Sequence, residues 1–189
     1  MGLHRAGFQV VGVDIVPQPN YPFEFVLNDA LDVSLCGFDF VWASPPCQRN
    51  SRMSSCRKGL ANQYPQLIPS IREKLKAWGG PYIIENVVGA PLIYPIMLCG
   101  GMFGLKTYRH RLFESNKRLS CPDHPPHKVP TSKAGHWRPG TYVSVAGNCA
   151  PMDLVREAMG IDWMTRSETV EAIPPAFSEF LARQIISQL

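Results

Sequence analysis

Residues Phe38–Ala43 form a nearly continuous apolar run that passes, after Ser44, straight into Pro45-Pro46-Cys47-Gln48. A short apolar run without alternation is the pattern of a strand covered on both faces. Each proline fixes its own φ and restricts the residue before it, so this strand ends on a stiff turn that carries a thiol. Other segments repeat the plan. Phe8–Asp14 reads as a strand ending on an acid, followed by a Pro-rich loop from Val16 to Pro22. Phe23–Leu27 reads as a second strand, closing on Asn28-Asp29. Leu67–Trp78 has a helical rhythm that Gly79-Gly80-Pro81 stops, and Tyr82–Ile84 opens another buried strand ending at Glu85-Asn86. Strands alternating with helices predict an α/β fold with a mainly parallel sheet. In such sheets the ligand crevice lies beyond the carboxyl ends of the strands, where Asp14, Asp29, Cys47 and Glu85 all fall.

The second half is less regular. Residues 116–150 are rich in Pro, Lys, His and Ser and read as a small insert, within which Tyr142–Val145 is expected to be a strand. Asp153–Met159, Ser167–Ala172 and Pro174–Gln188 look helical, and Pro175 suits a first helical position. The expected organisation is an α/β domain over 1–115, the insert, and helices over 151–189 that complete the domain.

With 189 residues, 45% of them hydrophobic, the chain can bury a sizeable core. No stretch approaches the ~18 apolar residues of a membrane span, and no cleavable signal opens the chain. A soluble, cytoplasmic protein of bacterial or phage origin is expected, with no membrane partner. The six cysteines contain no Cys-x-x-Cys pair and read as reduced thiols. Charge is segregated: residues 44–80 carry seven Lys/Arg against one acid, and residues 106–138 carry eight against two. Both basic windows coincide with the chemical motifs, which points to an anionic polymer as substrate.

Those motifs suit one chemistry. C5 of cytosine is a poor nucleophile until a thiolate adds to C6 and turns the ring into an enamine. Such a catalyst needs a cysteine, a proton donor for N3 and a group for O2. Cys47 fits the first role, and Arg49, Arg52, Arg57 and Lys58 nearby favour thiolate over thiol. Glu85 ends a strand with apolar neighbours, which raises a carboxyl pKa and keeps a proton available. Arg109 and Arg111 alternate along the extended segment Tyr108–Phe113 and are expected on one face, one presenting a fork to the base and the other supporting the site or a phosphate.

Taken in order, Pro46-Cys47-Gln48, Glu85-Asn86-Val87 and Arg109-x-Arg111 resemble the nucleophile, glutamate and arginine motifs of the DNA (cytosine-5) methyltransferase family. Gly101-Met102-Phe103-Gly104-Leu105 before the arginine motif strengthens the likeness, which covers most of residues 3–115 and, more faintly, 152–188. The resemblance implies that Cys47 attacks C6, that Glu85 engages N3 and N4, and that Arg111 engages O2 of a flipped cytosine, with Arg109 beside it. Substrate contacts are expected from Pro46, Gln48, Arg49, Arg52 and Asn86, on double-stranded DNA. The fold implied is the Rossmann-like sheet of class I methyltransferases, with S-adenosyl-L-methionine as donor held by Asp14, Ile15, Asp29, Ala30 and Pro45. The family's opening strand and glycine-rich turn have no counterpart here, since Met1–Gly7 resembles only the helix that follows them.

Cys121, His124, His127, His136 and Cys149 include a Cys-x-x-His, but their spacing fits no zinc module and no metal is expected. Lys117, Arg118, Lys128, Lys133 and Arg138 read as phosphate contacts. Two alternatives stay open, a cytosine-5 enzyme acting on RNA and a non-catalytic DNA-binding remnant. A third takes Ser44-Pro45-Pro46-Cys47 as a variant of the Ser-Pro-Pro-aromatic motif of amino-methylating enzymes, which leaves Glu85 without a task.

Overall fold

A computed structural model describes residues 1–47, 66–132, 136–147 and 150–189. Gln48, Arg49, Arg52, Cys56, Arg57, Lys58, Lys133 and Cys149 lie outside the described residues. The chain opens with a short helix α1 (Gly2–Ala6), closed by Gly7 in the left-handed region at φ 110°. Strands β1 (Val11–Asp14) and β2 (Glu24–Leu27) then pair in parallel as a two-stranded sheet. The second sheet has four strands in the order β3-β4-β6-β5. These are β3 (Val41–Ala43), β4 (Tyr82–Asn86), β5 (Ile96–Leu98) and β6 (Arg111–Ser115). Helix α2 (Ile68–Trp78) connects β3 to β4, and Gly79 at φ 82° ends it. Helices α3 (Met152–Met159), α4 (Arg166–Glu171) and α5 (Pro175–Ile186) complete the chain.

The fold is mixed α/β with parallel strands in both sheets. The sheet is not mainly parallel, however. β3 runs parallel to β4, but β4–β6 and β6–β5 are antiparallel. A parallel β3–β4 pair needs a crossover, which α2 supplies, whereas β5 and β6 follow each other closely enough to return antiparallel.

All five residues of β4 are buried, as a strand covered on both faces requires. Ile71 and Leu75 of α2 pack with Tyr82 and Ile84 on one side. Phe177, Leu181 and Ile185 of α5 pack with Ile83, Phe113 and Leu98 on the other. Alternation along β4 thus divides its side chains between two helices. α1 lies directly on α5: a Cβ at Gly2 would fall 2.2 Å from the Pro175 carbonyl, so only glycine permits that approach.

The insert does not contain the expected strand over Tyr142–Val145. Tyr142 forms only an isolated bridge with Thr131, and Val143 N–H donates to Lys106 O at 2.8 Å. Its backbone partners come from separate loops, so no ladder propagates. Val143 and Val145 instead join Val155, Ala158, Met159 and Ile161 in a second core. Packing therefore groups α3 and α4 with the insert, and α5 alone returns to the sheet. Among the described residues no helix is long and apolar enough to cross a membrane.

Candidate active site

Register builds the site. Ala43 pairs with Ile84 across the parallel β3–β4 ladder, so the next residues, Ser44 and Glu85, are neighbours. Their side chains hydrogen-bond, and Trp42 Nε1–H donates to Ser44 Oγ at 3.0 Å. In the antiparallel β4–β6 ladder Glu85 lies opposite Phe113. Arg111, two residues before Phe113, shares its face and becomes the diagonal neighbour of Glu85. The result is an ion pair, Arg111 Nε to Glu85 Oε1 at 3.2 Å, between side chains only 15% and 9% exposed. Arg111 Nη1 donates to the His110 carbonyl at 2.9 Å.

Cys47 is half-buried at the end of the β3 turn, close enough to feel the charges of both Arg111 and Glu85. Burial pushes its thiol up from the ordinary value; Arg111 opposes that shift and Glu85 reinforces it. Within the described residues the resting sulfur is therefore favoured as thiol, whereas the sequence suggested thiolate. Burial also pushes the Glu85 carboxyl up, against the pull of Arg111, Ser44 and Arg109. Two groups that become anions side by side in a low-dielectric site resist ionising together, so the charge of either makes the proton of the other harder to remove.

A pH dependence follows for Glu85. Its folded-state pKa lies above the ordinary 4.5, so the folded chain holds this proton more tightly than the unfolded one. Stability then falls as pH rises through the window that opens near 4.5 and closes at the raised folded value. Thermal melts of Glu85→Gln from about pH 4 to about pH 8 should lack that slope, and the variant should be the more stable form above the window. A wild-type-like slope in the variant would assign it to another group.

Asn86 has a different task from the substrate contact expected of it. It is 1% exposed, and its Nδ2 donates to the Pro45 carbonyl at 2.8 Å while its Oδ1 accepts from Val87 N–H at 3.0 Å. A side chain so enclosed does not reach a ligand; it pins the cysteine turn to β4. Asn86→Ala leaves the carbonyl of buried Pro45 without this donor and should cost about 1–3 kcal/mol in urea unfolding. A loss under about 0.5 kcal/mol would show that the turn holds without it.

Arg109 also departs from expectation. β6 begins only at Arg111, and Arg109 precedes it at φ 30°, in the left-handed region. Arg109 thus stands outside the strand alternation that Arg111 follows. Its Nε, Nη1 and Nη2 donate to the carbonyls of Ala172, Val145 and Val170 at 2.8, 2.8 and 2.7 Å. The group clamps the second core to the sheet, and that clamp holds a conformation a non-glycine residue seldom adopts. Arg109 still contributes its charge at Glu85.

Asp14 ends β1, where its carboxylate accepts from Val16 N–H at 2.9 Å and Gln18 Nε2 at 3.2 Å. Asp29 Oδ1 accepts from Leu31 N–H at 2.8 Å in the turn after β2. The Lys74 ammonium of α2 gathers the carbonyls of Ala30, Leu31 and Val33, tying that turn to the helix. Ile15, Val16 and Leu27 are exposed at this end. Carboxylates beside open apolar surface at adjacent strand ends suit a polar ribose joined to a flat base. Pro45 is buried in the cysteine turn and Pro46 is exposed beside it. A cavity of about 460 Å3, lined by His4, Phe8, Val10, Phe23 and Glu24 among others, lies at the opposite, amino-terminal ends of β1 and β2 and holds none of these groups.

No protein-family model matches the chain, and no curated protein matches it. Sequence reading missed Ser44 as the partner of Glu85; the cue was its place one residue past an apolar strand, level with a carboxylate one residue past the next.

Proposed function

We propose that this chain is a DNA cytosine-5 methyltransferase. The observation that carries the proposal is the meeting of Cys47, Glu85 and Arg111 at the carboxyl ends of two parallel strands, where burial favours the protonated form of both thiol and carboxyl. Cys47 Sγ adds to C6 of a cytosine turned out of its helix, and the ring electrons move toward C5 and N3. Protonated Glu85 gives its proton to N3, while Arg111 holds its carboxyl from one side and offers donors to O2 from the other. S-adenosyl-L-methionine, held by Asp14, Ile15, Asp29 and Ala30 beside Pro45, supplies an electrophilic methyl group when bound. Water then takes the C5 proton as the C6–S bond breaks to release the Cys47 thiolate, and N3 returns its proton to Glu85, which restores the aromatic ring.

Burial favours the Cys47 thiol, so its proton passes to water as the substrate binds and the sulfur adds to C6 as thiolate. With N3 and N4 against it the Glu85 carboxyl keeps its proton, so its negative charge no longer raises the thiol and one cause of the raised thiol pKa disappears. A class I methyltransferase sheet is the architecture we infer. Acids at the ends of β1 and β2 support it. Phe8 and Phe40, leading into β1 and β3, touch with ring centroids 5.3 Å apart.

Incubation with methyl-tritiated S-adenosyl-L-methionine and duplex DNA should place label in 5-methylcytosine after digestion to nucleosides. Label in N4-methylcytosine, or in RNA alone, would replace this reading.

A further inference from the structure

We propose a second site of different chemistry, a tetrahedral zinc centre formed by Cys99, His110, His124 and His127. One ligand atom from each residue lies within 4.8 Å of all the others. Two separations are closer: Cys99 Sγ to His127 Nε2 is 3.3 Å, and His110 Nε2 to His124 Nε2 is 3.1 Å. A zinc ion with Zn–N near 2.0–2.1 Å and Zn–S near 2.3 Å sets its ligand atoms about 3.3–3.8 Å apart, so small shifts would complete the tetrahedron.

The surroundings suit a bound metal better than four unrelated side chains. Cys99 is fully buried at the end of β5, and the backbone N–H groups of Gly101 and Met102 both point at its sulfur. An ordinary buried thiol needs no such donors; a metal-bound thiolate uses them to spread its charge. The loop from Cys99 to His110 is held closed. Gly100 N–H donates to Tyr108 O at 2.6 Å, and a Cβ at Gly100 would fall 1.9 Å from Thr107 O. The Tyr108 ring stacks on His127 at 3.5 Å between centroids, while its hydroxyl donates to Val129 O at 2.7 Å. Residues 118–129, which carry His124 and His127, form neither helix nor strand, so an ion joining them to β5 and β6 would supply order that backbone ladders do not.

The donor set selects the ion. One thiolate and three imidazoles suit zinc, with cobalt as its spectroscopic substitute, and disfavour magnesium and calcium, which take oxygen. Four protein ligands close the coordination sphere, so the centre is structural. It differs from the set suggested by sequence spacing: Cys121 and His136 are not among the four, and Cys99 and His110 lie outside the Cys-x-x-His.

The test uses the full chain, stripped with chelator and titrated with cobalt and then zinc. One cobalt per chain should give the intense visible bands of tetrahedral coordination and a thiolate-to-cobalt charge-transfer band in the near ultraviolet, with one equivalent of zinc erasing both. Cys99→Ser should lose the charge-transfer band. His124 and His127 are exposed, so His124→Ala and His127→Ala should fold and bind more than about 100-fold more weakly, beyond the range of outer-shell changes. Cys121→Ser should leave both bands unchanged. Binding of undiminished strength in both histidine variants, a weak octahedral spectrum, or loss of the charge-transfer band in Cys121→Ser would overturn the proposal.

Discussion

Cys47→Ser should reduce methyl transfer to cytosine by at least about 10^4-fold while leaving the fold intact, because the variant loses the only bond formation that makes C5 nucleophilic. A serine hydroxyl in the same place is far less acidic than a thiol, and a site that already resists a second anion would resist the alkoxide more. Cys47 is only half-buried, and sulfur-to-oxygen exchange there should leave the melting temperature within a degree or two. Duplex DNA carrying 5-fluorocytosine makes the test direct. Fluorine at C5 cannot leave as the proton does, so the wild-type adduct should persist in denaturing gels and move the DNA with the protein. Cys47→Ser should give no shifted band. Glu85→Gln can still hydrogen-bond but cannot give a proton to N3, so it should form the adduct slowly if at all. Transfer that survives Cys47→Ser would mean that the thiol is a bystander and that the methyl group goes to an amine.

The sequence shows the strand ends more clearly than the pairings between strands. β1 and β2 finish at Asp14 and Leu27 as the apolar runs suggest, and α2 begins one residue later than expected and stops at Gly79. Those signals are local, a run of apolar side chains followed by a breaker. β5 spans three residues in a Pro- and Gly-rich stretch, too few to show a period. Its antiparallel pairing with β6, together with that of β4 with β6, makes half of the strand pairings antiparallel. Arg109 shows another limit. Strict alternation places it in one strand with Arg111, but β6 begins only at Arg111, and nothing near Arg109 in the sequence announces the three carbonyls from residues 145–172 that it binds. The histidine and cysteine cluster escaped spacing rules because its ligands come from three places in the chain. The available hint was Cys99-Gly100-Gly101, where small residues let backbone N–H groups turn toward a sulfur.

Glu114→Ala should be the most destabilising single change at the sheet, by about 3–5 kcal/mol, because it strands a buried guanidinium. Arg72 Nε and Nη2 meet Glu114 Oε1 and Oε2 at 2.6 and 2.7 Å, and the two residues are 8% and 3% exposed. The pair also serves the backbone: Glu114 Oε2 accepts from Ile93 N–H at 2.7 Å, and Arg72 Nη2 donates to Pro91 O at 2.8 Å. Two parallel charge-assisted bonds fix α2 to β6 on the face opposite Glu85. Replacing both members with apolar residues, Arg72→Met with Glu114→Leu, removes the stranded charge and should recover part of the loss. Recovery is incomplete because the Ile93 N–H and Pro91 C=O lose these side-chain partners, at about 0.5–1.5 kcal/mol each. Urea unfolding of the two single variants and the double should therefore give a coupling of at least about 1.5 kcal/mol, with the double variant more stable than Glu114→Ala and less stable than wild type. Additive losses would mean that the two side chains act separately. Register along β4 and β6 is what places Arg111 against Glu85, so a β6 that slips by one residue would move Arg111 to the other face, and the ion pair on the α2 side guards against that slip.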